Sequence, residues 1–291
     1  MDITVITYFL GTDMNIENFI KKKKYIALFG NPVDHSLSPI IHSNFSKEIN
    51  INYNYNSFLC TKSNFFTKVI KFLRNGGLGC NITVPFKKKS FIIPNKYTKI
   101  AKISGSINTL IKLSDYNILG DNTDGIGLIF DLKRLQYIKK RSQILLLGSG
   151  GAAYSIIYHL LQEKCSVCVL NRTISKAVKL VNRFKIFGNI SLFSTDTCIN
   201  NFDLIINVTS CGLYNKSPDF PKNLVFPHTR CYDVSYSKTR ILTPFLLLCK
   251  SLGSKYISDG LGMLVAQAAY SCFSWFNVLP NIKKNIDLLY K

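Results

Sequence analysis

The stretch Ser142–Thr173, SQILLLGSGGAAYSIIYHLLQEKCSVCVLNRT, decides how the rest of the chain is read. QILLL reads as a buried strand, GSGGAA as a turn, the following residues as a helix, and CSVCVL as a second strand. Gly148, Gly150 and Ala153 fit a G-x-G-x-x-A spacing where the first strand gives way to the helix. In that setting the first glycine permits a tight turn and the second lets a pyrophosphate approach the backbone. The small third residue lets helix and strand pack closely. A dinucleotide site is the expectation, against a turn that is only structural. No Gly-Lys-Ser/Thr follows, which excludes a P-loop.

The end of the second strand refines the ligand. A nucleotide with a free ribose 2′-hydroxyl is normally met there by an acid about 20 residues beyond the glycines. Here the position is taken by Asn171, Arg172 and Thr173, with Asn171 lying 23 residues after Gly148 (171 minus 148). A carboxylate would repel a 2′-phosphate, whereas Arg172 offers a planar fork of donors and Thr173 a hydroxyl. Lys176 adds a second positive charge from the next helix. The predicted cofactor is NADP rather than NAD, the competing reading being an arginine that only caps a surface strand.

Outward from this unit, short apolar runs alternate with helical stretches. YIALFG, INYNYNSFLC and GLGCNITVP read as strands, SPIIHSNFSKEI and FFTKVIKFLRN as helices, and Gly125 to Gln136 as a connecting helix. ISLFS, FDLIINVT, CYDVSY and KYISD supply further strands, and a long apolar helix follows Gly260. This order predicts an α/β fold with mostly parallel sheets in two domains.

Composition narrows the function classes. The 291 residues carry a formal net charge of +21, yet the basic residues are spread along the whole chain rather than gathered in a stripe. A dedicated nucleic-acid partner is therefore not expected. The four lysines Lys21–Lys24 read as a solvated run before a strand. Nine scattered cysteines suggest reduced thiols and a cytoplasmic setting. Cys165 and Cys168 lie three apart on a strand, so their sulfurs point to opposite faces and pack in cores rather than bind metal. No segment reads as a membrane span.

Three further stretches carry polar chemistry. HSLSP places Ser36 and Ser38 before a helix, where two hydroxyls and the helix N-terminus offer a carboxylate site; Ser before Pro is equally an ordinary helix start. NITVPFKKK puts Lys87 just past a strand, and GDNTDGIG puts Asp124 in a glycine-flanked turn. A lysine beside a carboxylate relays a proton while the acid orients it. Taken singly, each is also a solvated loop charge.

GNPVDHSLSP, NITVPFK, GSINTL, GDNTDGIG, GSGGAA, NRT, NVTSCGL and DGLGMLVAQAA, in this order and spacing, resemble the shikimate dehydrogenase family from about Lys24 to Tyr290. The resemblance implies an α/β substrate-binding domain at 25–124 and 260–291, and a Rossmann-type NADP-binding domain at 125–259, separated by a cleft. Residues 1–24 have no match and read as an N-terminal extension, with Met14 as an alternative start. The implied activity is the reversible NADPH-dependent reduction of 3-dehydroshikimate to shikimate, toward chorismate and the aromatic amino acids. The implied catalytic pair is Lys87 and Asp124. Ser36, Ser38 and Tyr236 would hold the substrate carboxylate; Thr83, Asn108, Gln267 and Asp124 would bind hydroxyls, supported by Asn81. Gly148, Ser149, Gly150, Gly151 and Ala152, with Asn171, Arg172, Thr173 and Lys176, would hold NADP, and Val234 and Gly260 would lie near its nicotinamide. No metal is implied, and the expected state is a monomer or homodimer.

Departures from the family pattern are Lys99 in place of an acid, Val234 in place of Met and Lys176 in place of Arg. The nearest competing reading is an NAD-preferring quinate/shikimate dehydrogenase, which should carry an acid where NRT stands and a different sequence around Lys87. A basic nucleic-acid-binding protein on an inactive enzyme fold is the other alternative.

Overall fold

The computed structural model describes residues 24–194, 201–239 and 241–290. In the first strand, β1 (Lys24–Gly30), successive side chains enter opposite cores: Ile26 and Leu28 on one face, Ala27 and Phe29 on the other. Then come α1 (Ser38–Glu48), β2 (Tyr53–Leu59), α2 (Phe65–Arg74) and β3 (Gly77–Ile82). Each helix crosses over, so β2 and β3 both lie parallel to β1. Pro39 stands in the first turn of α1, where its missing N–H breaks no ladder. Phe65, Val69 and Leu73 repeat at helical spacing and form the buried stripe of α2.

The same sheet then changes character. After the short β4 (Lys96–Tyr97) and α3 (Lys99–Ser104), β5 (Thr109–Ser114) and β6 (Asn117–Asp121) are separated only by Asp115 and Tyr116. So short a link joins antiparallel strands only, and the two form a hairpin whose first strand, β5, runs antiparallel to β3. In the order β2-β1-β3-β5-β6-β4, three of the five pairings are parallel, so the sheet is mixed but keeps a parallel majority.

The helix α4 (Asp124–Arg134) leads to the second sheet. Its elements are β7 (Gln143–Leu147), α5 (Gly151–Gln162), β8 (Ser166–Leu170), α6 (Ile174–Phe184), β9 (Ile190–Leu192), β10 (Leu204–Asn207), β11 (Arg230–Asp233), α7 (Pro244–Ser251) and β12 (Tyr256–Ser258). Every pairing in the order β12-β11-β10-β7-β8-β9 is parallel. The winding reverses between β7 and β10, so the glycine turn after β7 sits at the topological switch point. Ile144 and Leu146 fill one core, Leu145 and Leu147 the other. Cys165 and Cys168 divide between the same two cores, as strand geometry requires, and the described cysteines are unbridged.

Two helices close the chain, α8 (Leu261–Phe276) and α9 (Ile282–Tyr290). Val265, Ala266, Ala269 and Cys272 of α8 share the core of Ile26 and Leu28, so the end of the chain packs on the first sheet. The same helix lies along α4 at very close range. A Cβ added at Gly127 would stand 2.7 Å from the Gln267 backbone nitrogen. Asp131 of α4 is fully buried. It accepts hydrogen bonds from the Tyr232 hydroxyl of β11 at 2.8 Å and from Arg134 Nε at 2.7 Å. Burial pushes its carboxyl pKa up.

One expectation is corrected here. Lys24, taken as the last member of a solvated run, is buried as the first residue of β1. Its stem lies in the sheet and its ammonium sits 5.5 Å from the Phe276 ring centre, with burial lowering its pKa to about 8. Lys21–Lys23, and the rest of the expected extension, lie outside the described residues. Among the described residues no helix is long and apolar enough to cross a membrane.

Because Gly127 meets backbone rather than a movable side chain, Gly127→Ala has no easy relaxation. It is expected to cost about 1–3 kcal/mol as an overpacking defect. The measurement is the thermal midpoint of the variant, which should fall by several degrees; an unchanged midpoint would refute the close approach of α4 and α8.

Candidate active site

Residues Thr83–Lys87 follow β3. Phe86 is buried and stacked on Phe65 with ring centres 4.3 Å apart, and this pins the loop while its neighbour projects. Lys87 Nζ lies 2.7 Å from Asp124 Oδ2, with the side chains 17% and 3% exposed. Asp124 opens α4, at the positive end of the helix dipole. Asn108 Nδ2 meets its other oxygen, Oδ1, at 3.0 Å. Both carboxylate oxygens are thus held, and the ammonium is left with solvent access.

Amides surround this pair. Asn108 Nδ2 also lies 3.1 Å from Gln267 Oε1, which brings α8 to the residue just before β5. Asn81 Nδ2 donates to the Asn108 carbonyl at 3.1 Å, while its Oδ1 accepts from the Tyr55 hydroxyl at 2.8 Å. Tyr55 is itself stacked flat on His42 at 4.0 Å. Thr83 is anchored through its backbone N–H to the Phe29 carbonyl at 2.9 Å. Its methyl fills the space that a side chain at Gly30 would need, so that glycine is required for the approach.

The two serines of HSLSP lie close together: the Ser38 backbone N–H points to Ser36 Oγ at 3.2 Å. The Tyr236 hydroxyl accepts from the Leu37 backbone N–H at 3.2 Å, although 199 residues separate them. The loop after β11 therefore reaches across to the start of α1. Burial pushes the Tyr236 phenol pKa up, keeping it a neutral hydroxyl. Two serines, a phenol and the N-terminus of α1 make a site suited to an anionic group.

The glycine turn stands opposite. Gly148 has φ +113, and a Cβ there would meet Thr209 Cγ2 at 2.9 Å, so the position demands glycine. Gly150 has nothing within 4 Å of the place a side chain would occupy. As the residue before α5 it leaves the helix N-terminus without a side-chain cap, and the first turn holds no acid. Ser149 is buried, Gly151 and Ala152 are half-buried, and a Cβ on Gly151 would lie 3.4 Å from Lys87 Cβ. Ser106 Oγ donates to the Gly151 carbonyl at 3.2 Å and accepts from Asn122 Nδ2 at 3.0 Å, tying the turn to the residue two before Asp124.

This open, uncapped helix end fits the pyrophosphate of a dinucleotide. At the tip of β8, Arg172, Thr173 and Lys176 are exposed, while Asn171 donates from its amide to the Thr173 carbonyl at 2.8 Å and shapes the turn. No acid interrupts Asn171–Lys179, as a 2′-phosphate would require. Val234 and Gly260 are neighbours: the Gly260 N–H donates to the Ser235 carbonyl at 3.0 Å, and a side chain at Gly260 would collide with the Val234 carbonyl.

Several polar residues of this site were not singled out in the sequence. Thr109, Asn122 and Thr123 stand inside GSINTL and GDNTDGIG and only needed to be read beyond Asn108 and Asp124. Ser106 likewise stands inside GSINTL, whereas Tyr55 and Ser271 give no such signal, since each looks like an ordinary element residue until the tertiary structure is known.

Comparison with known proteins places the chain among similar sequences and folds. The family profile "Shikimate dehydrogenase substrate binding domain" matches residues 28–110, and "Shikimate / quinate 5-dehydrogenase" matches residues 132–215. A shikimate dehydrogenase (NADP(+)) of Buchnera aphidicola subsp. Cinara cedri (strain Cc) is 68% identical over 276 residues, covering 95% of this chain and 99% of the relative. The crystal structure of shikimate dehydrogenase from Aquifex aeolicus superposes with a TM-score of 0.81 at 28% identity, over 96% of this chain and 100% of the other. The Thermus thermophilus shikimate 5-dehydrogenase, solved with NADP(H) and shikimate, gives 0.80 at 26% identity over 92% and 98%. With both profiles matched in chain order and 68% identity to such an enzyme over 95% of its length, the chain belongs to the shikimate dehydrogenase family.

Proposed function

We propose that the chain catalyses the reversible NADPH-dependent reduction of 3-dehydroshikimate to shikimate. The observation that carries this reading is the 2.7 Å contact of Lys87 and Asp124 beside the glycine turn. The 68% identical relative named for the same reaction and cofactor supports it. Bound NADPH supplies the hydride. The work of the protein is to hold the ketone and to move one proton.

Ser36, Ser38 and Tyr236 hold the substrate carboxylate, with Tyr236 neutral so that it does not repel the anion. Thr83, Asn108 and Gln267 bind the ring hydroxyls, and Asn81 keeps Asn108 in place. The Lys87 ammonium gives its proton to the ketone oxygen as that carbon gains hydride, and takes it back from the alcohol in the oxidative direction. Asp124 receives a substrate hydroxyl and orients Lys87. Gly148, Ser149, Gly150, Gly151 and Ala152 hold the pyrophosphate, and Arg172, Thr173 and Lys176 hold the 2′-phosphate, with Asn171 fixing their turn. Val234 and Gly260 wall the nicotinamide end.

For the domains we adopt 25–124 with 260–291 as the substrate-binding unit, and 125–259 as the NADP-binding unit. The cores support this division: Leu128 and Leu132 of α4 pack with the second sheet, whereas most of α8 packs with the first. The cleft between them excludes water when the units approach. We further infer cytoplasmic action as a monomer or homodimer, without a nucleic-acid partner.

Two experiments test the roles. Lys87→Ala should lower kcat for NADPH oxidation with 3-dehydroshikimate by about 10²–10⁴, the usual worth of a positioned acid–base group. A near-wild-type rate would remove Lys87 from proton transfer. Arg172→Ala should weaken NADPH binding roughly 10- to 100-fold, the worth of a lost charge-assisted contact, while NADH binding stays unchanged. Fluorescence titration with both cofactors reads this, and equal weakening of both would refute phosphate recognition.

A further inference from the structure

One buried hydroxyl at the site has so far no role. Ser271 lies one turn beyond Gln267 on α8, on the same face, and is fully buried. It meets Asn81 Nδ2 at 3.0 Å, Thr109 Oγ1 at 2.8 Å, Thr123 Oγ1 at 3.1 Å and the Gln267 carbonyl at 3.0 Å. A hydroxyl has one proton and two lone pairs, so the direction of each bond follows from groups that can act in only one way.

The Thr123 backbone N–H can only donate, so the Asn108 atom 2.9 Å from it is Oδ1, and Nδ2 turns toward Asp124. The Thr109 hydroxyl donates its proton to the same Oδ1 at 2.7 Å and is an acceptor for its other neighbours. Thr123 Oγ1 accepts from Asn108 Nδ2 at 2.8 Å, which leaves its own proton for Ser271. Asn81 is fixed in the same way, because its Nδ2 faces the Asn108 carbonyl and takes Ser271 as a further acceptor. Ser271 therefore receives from Asn81 and Thr123 and passes its own proton to the Gln267 carbonyl or Thr109.

We infer that Ser271 is a positioning residue for the proposed reaction, holding Thr123 and Asn81 so that the Asn108 amide keeps its N–H toward Asp124. The inference rests on the assignment of Lys87 and Asp124 as the proton-moving pair. Without Ser271, the Thr123 proton and an Asn81 N–H lose a buried acceptor, and the Thr123 and Thr109 hydroxyls that touch the Asn108 amide lose the partner that orients them. Buried donors stripped of a partner are costly, so the network rearranges rather than tolerating the gap.

The test compares shikimate oxidation by NADP⁺ in the full-length wild type, Ser271→Ala, Ser271→Cys, Asn108→Ala and the Ser271→Ala/Asn108→Ala double variant. Wild-type turnover tests the function itself; the variants test Ser271. Ser271→Ala is expected to lower kcat/KM for shikimate about tenfold, the worth of a lost buried hydrogen bond. The KM for NADP⁺ should stay within about twofold, and on the Asn108→Ala background the same change should cost less than about twofold, because both act through one contact. Ser271→Cys keeps the size and a weak acceptor, and should recover part of the loss; if Ser271→Ala does not fold, Ser271→Cys replaces it in the comparison with Asn108→Ala. A full tenfold loss persisting without the Asn108 side chain, or an equal rise in the KM for NADP⁺, would overturn the proposal.

Discussion

The contact between Lys87 and Asp124 is the constraint around which both halves of the molecule are arranged. It joins the loop after β3 to the first residue of α4, and neither segment is held by local sequence alone. Phe86 must be buried to aim the lysine, and Asn108 must face the acid to leave one oxygen for it. An aspartate this deeply buried would be costly if unpaired. The Asn108 amide and the Lys87 ammonium make its burial tolerable by giving each oxygen a donor.

That arrangement in turn depends on two helices approaching more closely than ordinary side chains permit. Gly127 lets α8 lie against α4, and this brings Gln267 within reach of Asn108. Asp131 repeats the theme a turn later, joining α4 to β11 through Tyr232. The two sheets therefore share one structural spine. The glycine turn is held to it by Ser106 and Asn122, so the turn and Asp124 are registered against each other through hydrogen bonds.

Much of this was legible in the chain because its signals are local. The strand-turn-helix-strand run of Ser142–Thr173 has apolar periodicity, glycine spacing and a strand-end charge that reinforce one another. Lys87 and Asp124 were legible as candidates through their motifs, though their pairing is a tertiary fact. The hairpin of β5 and β6 is less visible, because its strands resemble those that elsewhere join through helices. Only the two-residue link between them settles the direction. Lys24 was read from charge alone, whereas its burial follows from the pairing of β1 and the arrival of Phe276 from the far end of the chain. Ser271 is silent for the same reason: its partners come from β3, β5 and the turn before α4.

The return of α8 to the first sheet also has a consequence for vectorial synthesis. β1 to β6 emerge from a ribosome first, yet the core of Ile26 and Leu28 is completed by Val265, Ala266 and Cys272. The second sheet, by contrast, draws its strands from one continuous span. The core of Ala27 and Phe29 on the other face is built wholly from residues that emerge early, whereas the face of Ile26 and Leu28 stays incomplete until the last helices appear.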